Sequence, residues 1–309
     1  MPCAGHFERA YGRFGRRKAN GDQYDWRPDA PTNPCVEWRV TNATAQVRVK
    51  TTDDLLTVPP DAERHGFRNP PAGTHSGRSM MLGDLRILLA ACAHTARRAE
   101  YGLAIQENNV LGKPTASARL WAFKKLRELY TLQPEVLIFR ALVELWDADE
   151  EAQPMLALLC AAARDPLLRS TAAVVLATAP EDVVAPGDLS AAVAEAFPSR
   201  YSETVLVGAG KNTATTWEQA GLLEGKGKKV RARATSRPTS TAYALLLGHL
   251  CGVRGASLFT TFWARLLDAP VHSLREQAIV ASQQGWIEYR AAGDVVEVSF
   301  RHLLRDEAE

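Results

Sequence analysis

GAGKNTATTWEQAGLLEGKGKKVRARATSR, residues 208–237, carries seven Lys/Arg against two acids. Its spacing predicts a helix from Asn212 to Ala220, stopped at Gly221, where a left-handed residue without a Cβ is favoured. Leu222 and Leu223 then enter a strand, and Gly225 and Gly227 break a run of bases into a hairpin. A helix followed by a basic, glycine-tipped hairpin is the outline of a winged-helix module, in which the helix reads a groove and the wing lies along phosphates. On this reading Lys226, Lys228, Lys229, Arg231 and Arg233 are phosphate ligands. The alternative is a solvated basic loop.

Charge is segregated along the chain. The 309 residues hold 37 Lys+Arg and 35 Asp+Glu, a net charge of only +2. Residues 135–198, however, carry eleven acids against three arginines, whereas residues 113–127 carry five bases and no acid. Two basic stretches separated by an acidic one keep phosphate-binding bases away from carboxylates that would repel the ligand.

An apolar content of 46% supports a buried core. The five cysteines, Cys3, Cys35, Cys92, Cys160 and Cys251, are scattered and show no CxxC spacing. Neither a disulfide framework nor a zinc finger is expected, and the pattern fits a reducing, cytoplasmic compartment. The most apolar stretch, Met155 to Ala179, is interrupted by Arg164, Asp165 and Arg169, so no membrane association is expected.

Residues 1–79 are rich in Pro, Gly, Arg and Asn and read as a disordered or loosely packed leader. Val36 to Lys50 is its exception, with alternation suited to a short hairpin. Helical patterning starts at Met80-Met81, which raises the expectation that translation itself starts there. In residues 80–133, helices near Leu85–Ala96 and Leu103–Asn109, the break LGKP and a helix capped by Thr115 or Ser117 and running to Tyr130 predict a helix-turn-helix domain. Residues 134–200 read as an acidic helical bundle punctuated by prolines, with Trp146 in its core. Residues 201–309 read as a winged-helix-like domain, in which helices Thr241–Leu250, Ser257–Leu267 and Ser273–Gln284 precede the hairpin WIEYR…DVVEVSF. The expected fold is thus mainly α with small β-hairpins.

Catalytic patterns are missing from the sequence. GAGKNT lacks the glycine that a phosphate loop requires at position 205 and the Ser or Thr required at 212. The seven histidines form no HExxH, and the acids Asp147, Asp149, Glu150 and Glu151 lack calcium-loop spacing. No reaction, cofactor or metal is expected.

The segments NNVLGKPTASARLWAFKKLRELY, KNTATTWEQAGLLEGKGKKVRAR, TAYALLLGHLCGVRGASLF and GWIEYRAAGDVVEVSF resemble the BrxA family of BREX phage-defence systems over about residues 80–304. The resemblance implies a non-enzymatic, mainly helical protein that binds double-stranded DNA beside other BREX components. It places DNA contacts on Lys113, Thr115, Ser117, Arg119 and Lys124, and on Lys211, Asn212, Thr213, Thr215 and Thr216, with Trp217 as either a contact or a core anchor. The competing class is a protein–protein adaptor whose bases are hydrated surface. A third is a nuclease or NTPase with an unrecognised site.

Overall fold

The computed structural model describes residues 58–70, 73–293 and 295–305. All of them belong to the compact unit that spans residues 48–309. The expected hairpin in Val36–Lys50 lies outside the described residues. The architecture is mainly helical, with two small antiparallel sheets.

Three helices come first, α1 (Leu82–Ala91), α2 (Arg98–Gln106) and α3 (Ala116–Tyr130). Thr115 caps α3 as its pattern predicts, its hydroxyl accepting the Ala118 amide at 3.1 Å. Next come α4 (Leu137–Trp146), α5 (Gln153–Arg164) and α6 (Pro166–Ala177). Three of the prolines of this region, Pro154, Pro166 and Pro186, start helices rather than breaking them. Pro154 lies in the first turn of α5 and Pro166 in that of α6, where a missing N–H costs nothing.

The next elements are β1 (Val183–Val184), α7 (Pro186–Ala196), α8 (Glu203–Gln219), β2 (Leu223–Glu224) and β3 (Lys229–Arg231). Their sheet has the order β1-β3-β2, with Val183 opposite Val230 and Leu223 opposite Arg231. Helix α8 starts nine residues before the expected Asn212. The expected start left Gly208 and Gly210 outside the helix, yet both lie within it, and a Cβ on Gly210 would stand 2.1 Å from Ser190 Oγ and 2.3 Å from Pro186 O. The glycine lets α7 and α8 touch rather than ending a helix. Gly221, at φ +81°, does end α8.

The last part holds α9 (Pro238–Leu250), a 3₁₀ turn (Gly255–Thr260), the short α10 (Phe262–Arg265), α11 (Val271–Gln283) and the hairpin β4 (Glu288–Ala292) and β5 (Val295–Ser299). The helix expected over Ser257–Leu267 is divided because extended Thr261 caps α10, accepting the Ala264 amide at 3.2 Å. Helix α9 is buried from Thr239 to Gly248 and packs against α4, α5 and α11, so it is the central rod of the core.

Residues 58–79 are not loosely packed. Phe67 is buried and meets Trp263 edge to face, with ring centroids 5.4 Å apart. Arg169 on α6 is buried and donates to the Arg68 carbonyl at 2.8 Å while capping the end of α5 at Ala162 O. The expectation failed because this segment packs as a six-residue 3₁₀ helix (Pro60–His65) followed by irregular backbone with polar contacts, which leave no apolar period to read.

Candidate nucleic-acid interface

The predicted contacts of the first basic stretch lie on and around α3. Lys113 Nζ pairs with Asp84 Oδ1 on α1 at 2.8 Å, so its charge is already met. Thr115 is committed to its cap. Arg119 is half-buried, and its Nε has no hydrogen-bond partner among the described residues. Ser117 and Lys124 are exposed and, by helical spacing, share a face with Leu120, Trp121 and Arg127. Lys124 Nζ stands 5.1 Å from the centre of the Trp121 ring.

On α8 the predicted contacts divide by face. Lys211 is exposed, and Thr215 is half-exposed with its hydroxyl donating back to Lys211 O at 3.0 Å. Asn212 Nδ2 donates to His75 O at 2.9 Å. Thr213 is fully buried and donates to Ala209 O. Thr216 is fully buried too, 2.8 Å from His75 Nε2 and accepting the Met80 amide at 2.8 Å. Thr213 and Thr216 therefore hold the fold rather than a ligand, and Asn212 is tied to the 73–80 segment. Trp217 is the core anchor, its indole donating to Thr171 Oγ1 at 2.9 Å.

The hairpin also divides. Lys226, Lys228 and Arg233 are exposed. Lys229 is buried, its ammonium 2.5 Å from Glu218 Oε2 and 2.6 Å from Gly225 O. Arg231, only 3% exposed, donates to Val175 O at 2.8 Å and pairs with Asp268 at 2.7 Å. Two of the five expected phosphate ligands thus face inward. Strand alternation explains this, because Lys229 and Arg231 are two apart and share the inner side of β3.

Sequence reasoning missed two further features. One is Trp121, to which the sequence reading of α3 gave no role and which is 51% exposed. The other is a fully buried chain of polar groups in which Asp165 Oδ2 meets His75 Nδ1 at 2.7 Å and His75 Nε2 meets Thr216 Oγ1. Asp165 also caps α6 through the Leu167 amide at 2.9 Å and accepts the amides of Thr74 and His75 at 2.6 and 2.8 Å. Burial alone would raise its pKa, but the His75 charge and these hydrogen bonds bring it down to about 2. The order hydroxyl, imidazole, carboxylate resembles a nucleophile relay, but neither His75 nor Thr216 is exposed to solvent. It joins segment 74–80 to α6 and α8. No signal short of the fold connects residues 90 and 141 positions apart.

Neither comparison with known proteins gives a match: no family model fits the chain and no curated protein aligns with it significantly. The acids of the 147–151 cluster are largely occupied by bases, with Asp149 and Glu151 on Arg237 at 2.6 and 2.7 Å and Asp147 on His94 at 2.8 Å. Among the described residues no helix is long and apolar enough to cross a membrane.

Proposed function

We propose that this protein is a non-enzymatic binder of double-stranded DNA, acting mainly through phosphates, and that it serves a BREX-type defence system beside that system's other components. The observation that carries the reading is the hairpin tip, where Lys226 and Lys228 are exposed without an ion pair among the described residues, while the inward Lys229 and Arg231 of the same hairpin are neutralised. The element order α6-β1-α7-α8-β2-β3 with sheet order β1-β3-β2 supports a winged-helix reading, with α8 as the groove helix and the β2–β3 turn as the wing. Helix, 3₁₀ turn, two helices and hairpin from α9 to β5 follow a similar order, with the 3₁₀ turn in the place of β1. Helices α1 to α3 support a third, helix-turn-helix unit at the N-terminal side.

The cations of α8 and its hairpin free to meet duplex phosphates are Lys211, Lys226, Lys228 and Arg233. The test is titration of labelled duplex at several salt concentrations. The log–log slope should fall by about 0.9 for each phosphate ligand removed, hence by about 1.8 in a Lys226→Ala/Lys228→Ala protein, for all sequences alike. An adaptor role is the second reading, favoured by the exposed Val271, Ile279 and Val280 on α11. Salt-insensitive or absent duplex binding would select it.

A further inference from the structure

Helix α3 presents a face unsuited to reading a paired groove. Leu120 is 55% exposed and Trp121 51% exposed, between Ser117 on one side and Lys124 and Arg127 on the other. Base edges in a duplex are recognised chiefly by hydrogen bonds. Neither Leu120 nor the broad face of an indole supplies them, and of the residues expected to contact DNA here, Lys113 and Thr115 are already engaged with Asp84 and the Ala118 amide.

The surroundings of Trp121 are cationic. Lys124 Nζ lies 5.1 Å and Lys125 Nζ 6.0 Å from the ring centre, close enough for the ring quadrupole to hold both ammonium groups. The neighbouring carboxylate of Glu128 is held by Lys125 at 2.8 Å and by the Thr74 hydroxyl at 3.0 Å. An exposed aromatic ring with ammonium groups drawn over it matches an unpaired nucleobase, whose face takes the place of the Lys124 ammonium on the ring while its phosphate takes up that charge. We infer that α3 is a stacking platform for unpaired bases, built around Trp121 with Leu120 beside it and Lys124 and Arg127 as phosphate ligands. The inference rests on the reading of the basic surface as a nucleic-acid interface. It assigns single-stranded or locally opened nucleic acid to α3 and paired duplex to α8 and its hairpin.

The experiment compares a single-stranded oligonucleotide with its duplex, using wild-type protein and the Trp121→Ala, Trp121→Phe and Lys226→Ala/Lys228→Ala variants. Trp121 is exposed, so its replacement should leave the thermal transition in place, and circular dichroism checks this. Trp121→Ala should weaken single-strand binding by about 5- to 150-fold and change duplex binding by less than about two-fold. Trp121→Phe should recover most of that affinity, because a smaller ring still stacks. The hairpin variant should show the opposite preference. Equal effects of Trp121→Ala on both ligands, or none on either, would overturn the inference while leaving the duplex reading to its own salt test. Loss of self-association in sedimentation with unchanged nucleic-acid affinities would also overturn it, by making this face a protein contact. Trp121-dependent single-strand binding without duplex binding would uphold it and defeat the duplex reading instead.

Discussion

Arg231 and Lys228 stand three residues apart in one basic run, yet they do opposite work. Lys228 is exposed, whereas Arg231 joins β3 to the end of α6 and to Asp268. Removing the arginine strands a half-buried carboxylate and an unmet carbonyl. Arg231→Ala should therefore cost about 3 kcal/mol of unfolding free energy in urea, and Lys228→Ala no more than about 0.5 kcal/mol. Two other residues set the response to acid. Asp165 has its pKa lowered from 3.8 to about 2, so its carboxylate supports the fold above pH 3.8 and that support is lost as pH falls towards 2, about 2 kcal/mol in all. His249, which packs on Phe300 with ring centres 4.9 Å apart, is lowered from 6.5 to about 4 by burial, by Arg254 and by His65. The unfolded chain takes up this proton first, so stability should decline as pH falls from 6.5 to 4. Thermal melts across that window should slope downward in wild type and flatten in His249→Phe, and an unchanged slope would remove His249 as the cause.

At the scale of elements, what the sequence made legible was local and what it concealed was tertiary packing. Gly221, Gly225 and the alternation of residues 287–298 announced a helix stop and two hairpins, because turn chemistry is written in adjacent residues. The two-residue β1 carried no period long enough to see, so the three-stranded sheet went unread. Gly210 shows the ambiguity most sharply, since a glycine that breaks a helix and one that admits a neighbouring helix are identical in sequence. The two meanings predict opposite outcomes. Were Gly210 a tolerated weak point, Gly210→Ala would stabilise α8 by about 1 kcal/mol. With Pro186 O and Ser190 N of α7 only 2.3 and 3.0 Å from the new Cβ, both backbone atoms, α7 must instead move away, at a cost of about 1–3 kcal/mol. Urea denaturation of the single variant decides between them. The candidate site was half legible for the same reason: seven bases were visible, but which side of a strand or helix each occupies depends on register. The register that pairs inward Leu223 with Arg231 turns Arg231 inward, and only the fold supplies that register.

Across the whole molecule, segregation of charge along the chain does not survive folding intact. Arg237, at the end of the basic run, lies on Asp149 and Glu151 of the acidic region, and Lys113 on Asp84, so the fold consumes part of its own positive charge. The segment before α1 is the clearest case of a long-range role hidden from the sequence. Residues 58–79 supply Phe67 to Trp263, the Arg68 carbonyl to Arg169, the Thr74 and His75 amides to Asp165, and the His75 ring to Thr216. Deleting them leaves Asp165 as a carboxylate with its imidazole and two amide donors gone, in a site fully buried in the intact protein, and exposes the apolar surface under Phe67. The comparison that isolates this segment is between proteins lacking residues 1–57 and residues 1–78. Loss of His75 alone from its buried pair with Asp165 costs about 3–5 kcal/mol, which at this size lowers the melting temperature by about 6–20 °C, and the Phe67 packing adds to it. The shorter protein should also surrender most duplex affinity, because Thr216 and Asn212 anchor α8 through the deleted residues. Equal melting temperatures for the two truncations would mean that α6 and α8 hold their arrangement unaided, and that segment 58–78 rests on the fold without supporting it.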